Sequence, residues 1–123
     1  MAKSILKDKS YDFAIRTVNL NRYLRERKHE FVLSKQVLRA GTAIGALIRE
    51  AEFGQSRADF RSKMYIALKE ANETDYWLNL LKDTEFIETK DFESMSRDCS
   101  ELIRMLVATV KTTANPPRAS RSE

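Results

Sequence analysis

Residues 34–81 read SKQVLRAGTAIGALIREAEFGQSRADFRSKMYIALKEANETDYWLNLL, and this stretch decides the fold. It predicts two consecutive helices, because apolar residues recur at spacings of three and four on either side of a short break near Gly54. Residues 40–48 contain no charge, and the second helix places apolar residues on more than one side. A helix that faces one core normally keeps its opposite face polar. The surplus apolar surface therefore predicts a second partner, most simply another copy of the chain.

Gly41 and Gly45 lie one turn apart on one face of the first of these helices, beside Ile44. A glycine inside a helix costs about 1 kcal/mol relative to alanine. Two such glycines in one apolar run indicate that another backbone packs closely against them. The spacing alone is weak evidence, since its best-attested use is inside membranes. We expect these three residues to lie in an interface between copies.

The second of these helices carries Glu70 and Glu73 on the same face as apolar side chains. One interpretation leaves both carboxylates solvated at the edge of a groove. The other has them accept hydrogen bonds from Arg39 or Arg49 across a helix or subunit contact, because a buried carboxylate needs such a partner.

Two neighbouring aromatic residues, Tyr76 and Trp77, follow these carboxylates. Aromatic side chains beside basic residues stack nucleobases in single-strand binders. Tryptophan is also enriched at protein interfaces, and this interpretation of Trp77 is the stronger one. The full predicted oligomer interface is Gly41, Ile44, Gly45, Ile66, Glu70, Glu73, Trp77 and Leu80.

The remaining sequence predicts two more helices, one on each side of this pair. The first runs from Ser10, as its N-cap, to about His29. The fourth runs from about Thr89 and fades after Lys111, with apolar residues alternating three and four apart. With 123 residues, only 3 Gly and only 2 Pro, the chain has the composition of one domain of a few long helices.

Two serines are the expected caps of the middle helices. Ser34 is the predicted N-cap of the second helix, and Ser56 caps the third with Asp59 three residues later. The third helix is expected to end near Asp83. Short connections between long helices force antiparallel neighbours. The prediction is an all-α, up-down-up-down four-helix bundle over residues 10–113, with a basic leader at 1–9 and a disordered tail at 114–123.

Positive charge is concentrated near the N-terminus. The chain carries a net charge of +4, and residues 1–30 hold eight Lys or Arg against four Asp or Glu, whereas residues 84–100 hold two against five. The candidate phosphate-binding residues are Arg22, Arg25, Arg27 and Lys28, with Arg118 and Arg121 in the tail. The interleaved Glu26 and Glu30 favour the alternative, an ordinary solvated helix end.

The residues needed for most enzyme chemistry are missing from the sequence. His29 is the single histidine, so the chain lacks the Glu-x-x-His pairs of a dinuclear metal site, a zinc cluster and a base for a nucleophilic triad. Cys99 falls in the apolar stripe of the fourth helix and is predicted to be a core residue. No apolar run reaches the roughly 20 residues of a membrane span. We expect a cytoplasmic, non-enzymatic protein without cofactor, metal, membrane or small-molecule partner.

Two motifs carry a resemblance to a known family. S-K-Q-x-L-R-x-G-T-x-I-G begins at Ser34, and A-L-K-E-A-x-E-T-x-Y-W-L begins at Ala67. Together they resemble the bacterial four-helix-bundle proteins encoded within intervening sequences of 23S ribosomal RNA genes, over residues from about 10 to 110. Leu47 departs from the family pattern, in which a small polar residue such as Asn is expected.

The resemblance implies a four-helix bundle that assembles into a ring, a homopentamer. It also implies kinship with the accessory proteins of diversity-generating retroelements, whose basic pentameric barrels bind a reverse transcriptase and its RNA. The resulting hypothesis is a homo-oligomeric bundle that binds RNA, or an RNA-bearing protein, through the first helix and the tail. The alternative is a protein-only scaffold whose charge serves solubility.

Overall fold

The computed structural model describes residues 2–114, and the side chains of residues 5–114. It contains four helices: α1 (Ala2–Arg27), α2 (Leu33–Glu52), α3 (Arg57–Asp83) and α4 (Thr89–Ala114). The described residues form no strand. The all-α prediction is confirmed, whereas Arg118 and Arg121 of the predicted tail lie outside the described residues.

The helices pack in cyclic order. α1 contacts α2, α2 contacts α3, α3 contacts α4, and α4 closes on α1 through a sparser interface. Within residues 2–114 the diagonal pairs α1–α3 and α2–α4 make no backbone contact. The chain is therefore the up-down-up-down bundle that its short connections predict, with α1 and α3 on opposite sides.

The core runs along the axis of the bundle, and every helix contributes fully buried side chains to it, including Leu24, Ile44, Leu78 and Leu106. Cys99 is buried among them, as predicted, and its Sγ donates to the carbonyl of Ala71 at 3.4 Å. Burial, reinforced by the charges of Asp75 and Asp98, raises the pKa of the thiol to about 12. Cys99 is thus a core residue and not a nucleophile.

The glycine face of α2 packs against α1 of the same chain. A Cβ added to Gly41 would lie 2.6 Å from Cγ2 and Oγ1 of Thr17, and one added to Gly45 would lie 3.3 Å from the carbonyl oxygen of Ser10. Ile44 is fully buried. The prediction that Gly41 and Ile44 contact a second copy is therefore wrong, because both are buried inside the chain, whereas Gly45 is partly exposed and its contact with a second copy stays a prediction.

The first helix begins at Ala2 instead of Ser10. Ser10 is buried in mid-helix, and its hydroxyl donates to the carbonyl of Lys7 at 2.9 Å. Leu6 enters the core one turn earlier and extends the buried stripe of α1 toward the N-terminus. The helix start predicted at Ser10 was wrong, because Leu6 stands alone among lysines and was not counted as part of the stripe.

The N-cap predicted at Ser34 was also wrong. The carboxylate of Glu30 accepts hydrogen bonds from the backbone N–H groups of Val32 (3.1 Å), Leu33 (2.9 Å) and Ser34 (2.7 Å). The hydroxyl oxygen of Ser34 is buried and has no partner among the described residues. His29 adopts a left-handed backbone conformation (φ 53°), in the turn that brings Glu30 back onto the start of α2.

The ends of α3 agree with the sequence. The backbone N–H of Asp59 donates to the Ser56 hydroxyl at 3.0 Å, which confirms Ser56 as the N-cap. The Asp59 carboxylate accepts from the N–H of Gln55 at 3.1 Å. The helix ends at Asp83, and α4 begins at Thr89, both as predicted.

Candidate functional site

The C-terminal end of α1 presents four cations to solvent. We call Arg22, Arg25, Arg27 and Lys28 the basic end, and all four side chains are exposed. None of them forms an ion pair with another described residue. These four side chains are therefore available to bind an anion.

The two acidic residues within residues 22–30 form no ion pair with the basic end. Glu30 directs its carboxylate at three backbone N–H groups of α2, where the positive end of the helix dipole favours it. Glu26 is the one other carboxylate between residues 22 and 30, and it forms no ion pair with a described residue. The four cations that the sequence interleaves with Glu26 and Glu30 are therefore not ion-paired with either of these carboxylates.

Two aromatic side chains accompany the cations. Tyr23 is 38% exposed, and Phe31 in the α1–α2 connection is 56% exposed. The Nζ of Lys28 lies 5.9 Å from the centroid of the Tyr23 ring. The sequence interpretation missed both residues. The available signal was an aromatic residue inside a basic turn, outside every apolar stripe.

The two aromatics that the sequence singled out lie on α3 instead. The Tyr76 and Trp77 rings meet edge to face, with centroids 5.0 Å apart. The indole N–H of Trp77 donates to Oε2 of Glu73 at 3.0 Å, and Trp77 is half-buried. The nearby cation Lys82 lies over the ring of Phe92 and not over Tyr76 or Trp77. The two rings are thus separate from the basic end.

The carboxylates of α3 pair with an arginine of α2. Arg39 donates from Nη1 to Oε1 of Glu70 at 3.3 Å and from Nη2 to Oε2 of Glu73. This confirms the paired interpretation for Arg39, across a helix contact within one chain, whereas Arg49 makes no ion pair with a described residue. Leu80 is half-buried and Ile66 is exposed on the same helix. Of the predicted oligomer interface, Gly45 and the α3 residues are at least partly exposed, whereas Gly41 and Ile44 are buried.

A groove lies between α1 and α2 near the α2–α3 connection. Its volume is about 1240 Å³, and it is lined by residues of both charges and by Tyr11 and Phe53. Within residues 2–114, no three His, Cys, Asp or Glu side chains are grouped so as to hold a metal ion. No helix in the same range is long and apolar enough to cross a membrane.

These features define a class: a small antiparallel four-helix bundle with a basic, aromatic-flanked end. The chain belongs to the 23S rRNA-intervening sequence protein family, whose model matches residues 2–108. The resemblance inferred from the two motifs is thereby confirmed, while the kinship with retroelement accessory proteins stays a prediction.

The structure is similar to a crystal structure from Bacteroides thetaiotaomicron. That structure is described as a protein of unknown function from the S23 ribosomal protein family. The two chains are 54% identical and superpose with a TM-score of 0.89, over 90% of this chain and 99% of the other. Among curated proteins, none matches the chain.

Proposed function

We propose that this protein is a non-enzymatic homo-oligomer, a pentamer, that binds RNA, either free or carried by a protein, through the basic end of α1. The observation that carries the proposal is the group of four exposed cations without ion-pair partners beside Tyr23 and Phe31. The proposal places the protein in the cytoplasm, where the lone Cys99 stays reduced.

The chemistry of the basic end suits a single-stranded or irregular RNA. Arginine and lysine donate to phosphate oxygens, and arginine does so with a fork of parallel N–H groups. Exposed aromatic rings stack on unpaired bases, which is worth about 1–3 kcal/mol per base in single-strand binders. The combination favours contacts to backbone and base faces without reading a particular sequence.

Assembly would multiply this modest charge. Each chain has a net charge of +4, so five copies would carry +20 in one particle. Several basic ends held in one ring would also bind one polyanion multivalently, because the second contact occurs at high effective concentration. Self-association is thus part of the binding mechanism.

The test measures the binding of a fluorescent single-stranded RNA of about 20 nucleotides by anisotropy, over a range of salt concentrations. The test variant combines Arg22→Ala, Arg25→Ala and Lys28→Ala. The control variant combines Lys90→Ala, Arg97→Ala and Arg104→Ala, three exposed cations of α4 that form no ion pair with a described residue. Both variants lose the same net charge.

We expect the basic-end variant to bind about tenfold or more weakly at 50 mM salt and the α4 variant to change about twofold or less. The log–log salt slope should fall by about 2 in the first variant, at about 0.7 per phosphate contact on a single strand. Equal weakening of the two variants, or wild-type binding that ignores salt, would contradict the proposal.

A protein-only scaffold is the second candidate. The observation in its favour is that cations at a helix C-terminus also stabilise the helix dipole, which accounts for Arg25 and Arg27 without any ligand. In that case the basic-end variant would lose thermal stability and keep all its protein contacts, and the purified wild type would carry no RNA.

A further inference from the structure

Four cations recur at intervals of seven residues along α4. They are Lys90, Arg97, Arg104 and Lys111, and all four side chains are exposed. Seven residues make about two turns of a helix, so these side chains lie in a nearly straight row along the outer face of α4. Successive members are about 10.5 Å apart along the helix axis. We call these four residues the α4 row.

The two central arginines of the row, Arg97 and Arg104, form no ion pair with a described residue. Glu101 lies four residues after the first and three before the second, at the spacing where helical side chains pair. Its Oε2 is instead 3.3 Å from the Nζ of Lys9 on α1. Asp98 is likewise paired with a cation of α1. The contact between α1 and α4 therefore engages carboxylates of α4 and leaves these arginines facing solvent.

A groove runs beside these two arginines on the surface of α4. Its volume is about 420 Å³, and both arginines line it together with Ser96 and Ser100. Serine side chains are short, so they leave space between the two long arginine side chains. Glu93 is the one carboxylate that lines the groove. The surface thus combines a recess with a positive margin.

The outer face of α4 differs from the faces suited to self-association. Within residues 5–114, the exposed large apolar side chains that lie inside a helix are all on α1 or α3, such as Ile15 and Tyr65, and none is on α4. Contacts between copies bury apolar side chains at their centre and are depleted in charge there. The α4 row is therefore suited to a different partner.

We propose that the α4 row is a docking surface for an acidic helix of another protein, whose aspartate or glutamate side chains recur every seven residues. When two helices lie side by side, carboxylates at this spacing repeat at the same interval of about 10.5 Å as the cations. Arginine donates to a carboxylate through two parallel N–H groups, and arginine clusters recognise acidic motifs. The charge and the spacing of the row thus define the chemistry of the partner.

The α4 row fits RNA less well than it fits an acidic helix. Proteins that bind single strands stack bases on aromatic side chains. α4 contains one aromatic residue, Phe92, which is half-buried and has the Nζ of Lys82 4.4 Å from its ring centroid. The basic end, in contrast, is accompanied by the exposed Tyr23 and Phe31. The acidic-helix site is therefore separate from the proposed RNA site and does not depend on it.

The test uses two synthetic helical peptides of about 28 residues as probes. Both carry four glutamates on a background of alanine and glutamine, so their net charges are equal. One peptide has its glutamates at every seventh position and presents them on one face, whereas the other has them at every fifth position, which distributes them around the helix. Circular dichroism checks that both peptides are helical. Binding to the full chain is measured by calorimetry at about 50 mM salt, where screening is modest.

Two protein variants with equal losses of charge are compared. The test variant combines Arg97→Ala and Arg104→Ala, and the control variant combines Arg22→Ala and Arg25→Ala from the basic end. All four side chains are exposed and form no ion pair with a described residue, so both variants should fold. Circular dichroism and thermal unfolding check that they do.

We expect the peptide with seven-residue spacing to bind the test variant about fivefold more weakly than the wild type, because two exposed ion pairs of modest strength are lost. The control variant should change this affinity by less than about twofold. The peptide with five-residue spacing should bind the wild type about fivefold more weakly than the first peptide. Equal affinities of the two peptides, or equal weakening in the two variants, would overturn the proposal.

Single-stranded RNA is the competing occupant of the α4 row. If the test variant lost as much RNA binding as the control variant, the row would belong to a nucleic-acid site and the proposal would be overturned. Unchanged RNA binding together with weakened peptide binding supports it. A wild type that binds neither peptide would also overturn the proposal, while the proposed RNA binding would be unaffected.

Discussion

The close packing at Gly41 could be predicted from the sequence only in part. Two glycines in an apolar helical run indicate that something packs closely there, because their cost must be offset. They do not indicate which chain provides it. In the structure Thr17 of α1 takes the space that a Cβ would occupy. The close approach could thus be predicted from sequence, but its partner could not, since that depends on how α1 is rotated about its axis.

Gly41→Ala should destabilise the fold. The new Cβ would lie 2.6 Å from two atoms of the buried Thr17 side chain, and overpacking of this kind costs about 1–3 kcal/mol. This outweighs a gain of about 1 kcal/mol in helix propensity. Urea unfolding measures the change in the free energy of unfolding. The same Gly41→Ala substitution made in a Thr17→Ala variant should cost less, because the side chain that it clashes with is shortened. A stabilised single variant would show that α1 does not pack here.

Cys99 should be unreactive in the folded protein and should make stability fall at high pH. Its pKa is about 12 when folded against an ordinary value of 9.0, so above pH 9 the thiol ionises in the unfolded chain and stays protonated in the folded one. Because the unfolded chain then binds fewer protons, the free energy of unfolding declines between pH 9 and 12.

Iodoacetamide at pH 8 should therefore label Cys99 in urea and leave the native protein unlabelled over the same period. In urea titrations, Cys99→Ala should lack the part of the alkaline decline that comes from the thiol. Rapid labelling of native protein would show that the core opens readily around this position.

At the scale of whole elements, the sequence located the helices well and their beginnings less well. The capped start of α3 at Ser56 follows from local chemistry, and α4 begins at Thr89 as predicted. The start of α1 depends on Leu6 reaching a core formed by distant residues. The cap of α2 depends on a left-handed turn at His29, which local preferences do not reveal.

Glu30 and Ser34 provide a matched test of the α2 cap. Glu30→Ala should lower the free energy of unfolding by about 1 kcal/mol or somewhat more, because three backbone N–H groups lose a charged acceptor. Ser34→Ala should be neutral or stabilising, since its buried hydroxyl oxygen has no partner. Thermal unfolding compares the stabilities of the two variants. If Ser34→Ala were the less stable of the two, Ser34 and not Glu30 would be the cap of α2.

At the scale of the whole molecule, the sequence motifs sufficed for the fold class and the family. The surplus of apolar surface could also be predicted, although its location could not. Part of it, around Gly41 and Ile44, is buried by α1. The rest is divided between α1 and α3, and only the cyclic order of the helices shows that these faces point apart.

The candidate RNA-binding site was partly predictable. The four cations of the basic end follow from the charge pattern, whereas their freedom from ion pairs depends on Glu30 being used as a cap. Tyr23 and Phe31 were missed although both stand outside every apolar stripe, because the sequence alone does not show whether another helix covers them. In the proposed function, several basic ends are assembled in one particle that binds RNA.

Native mass spectrometry of freshly purified protein at low ionic strength tests that claim most directly. We expect a particle of five 14.3 kDa chains, about 72 kDa, that carries additional mass removed by ribonuclease. The extra mass should be absent from the basic-end variant, whose protein mass should remain that of five chains. A 14.3 kDa monomer without bound RNA would contradict the proposed function.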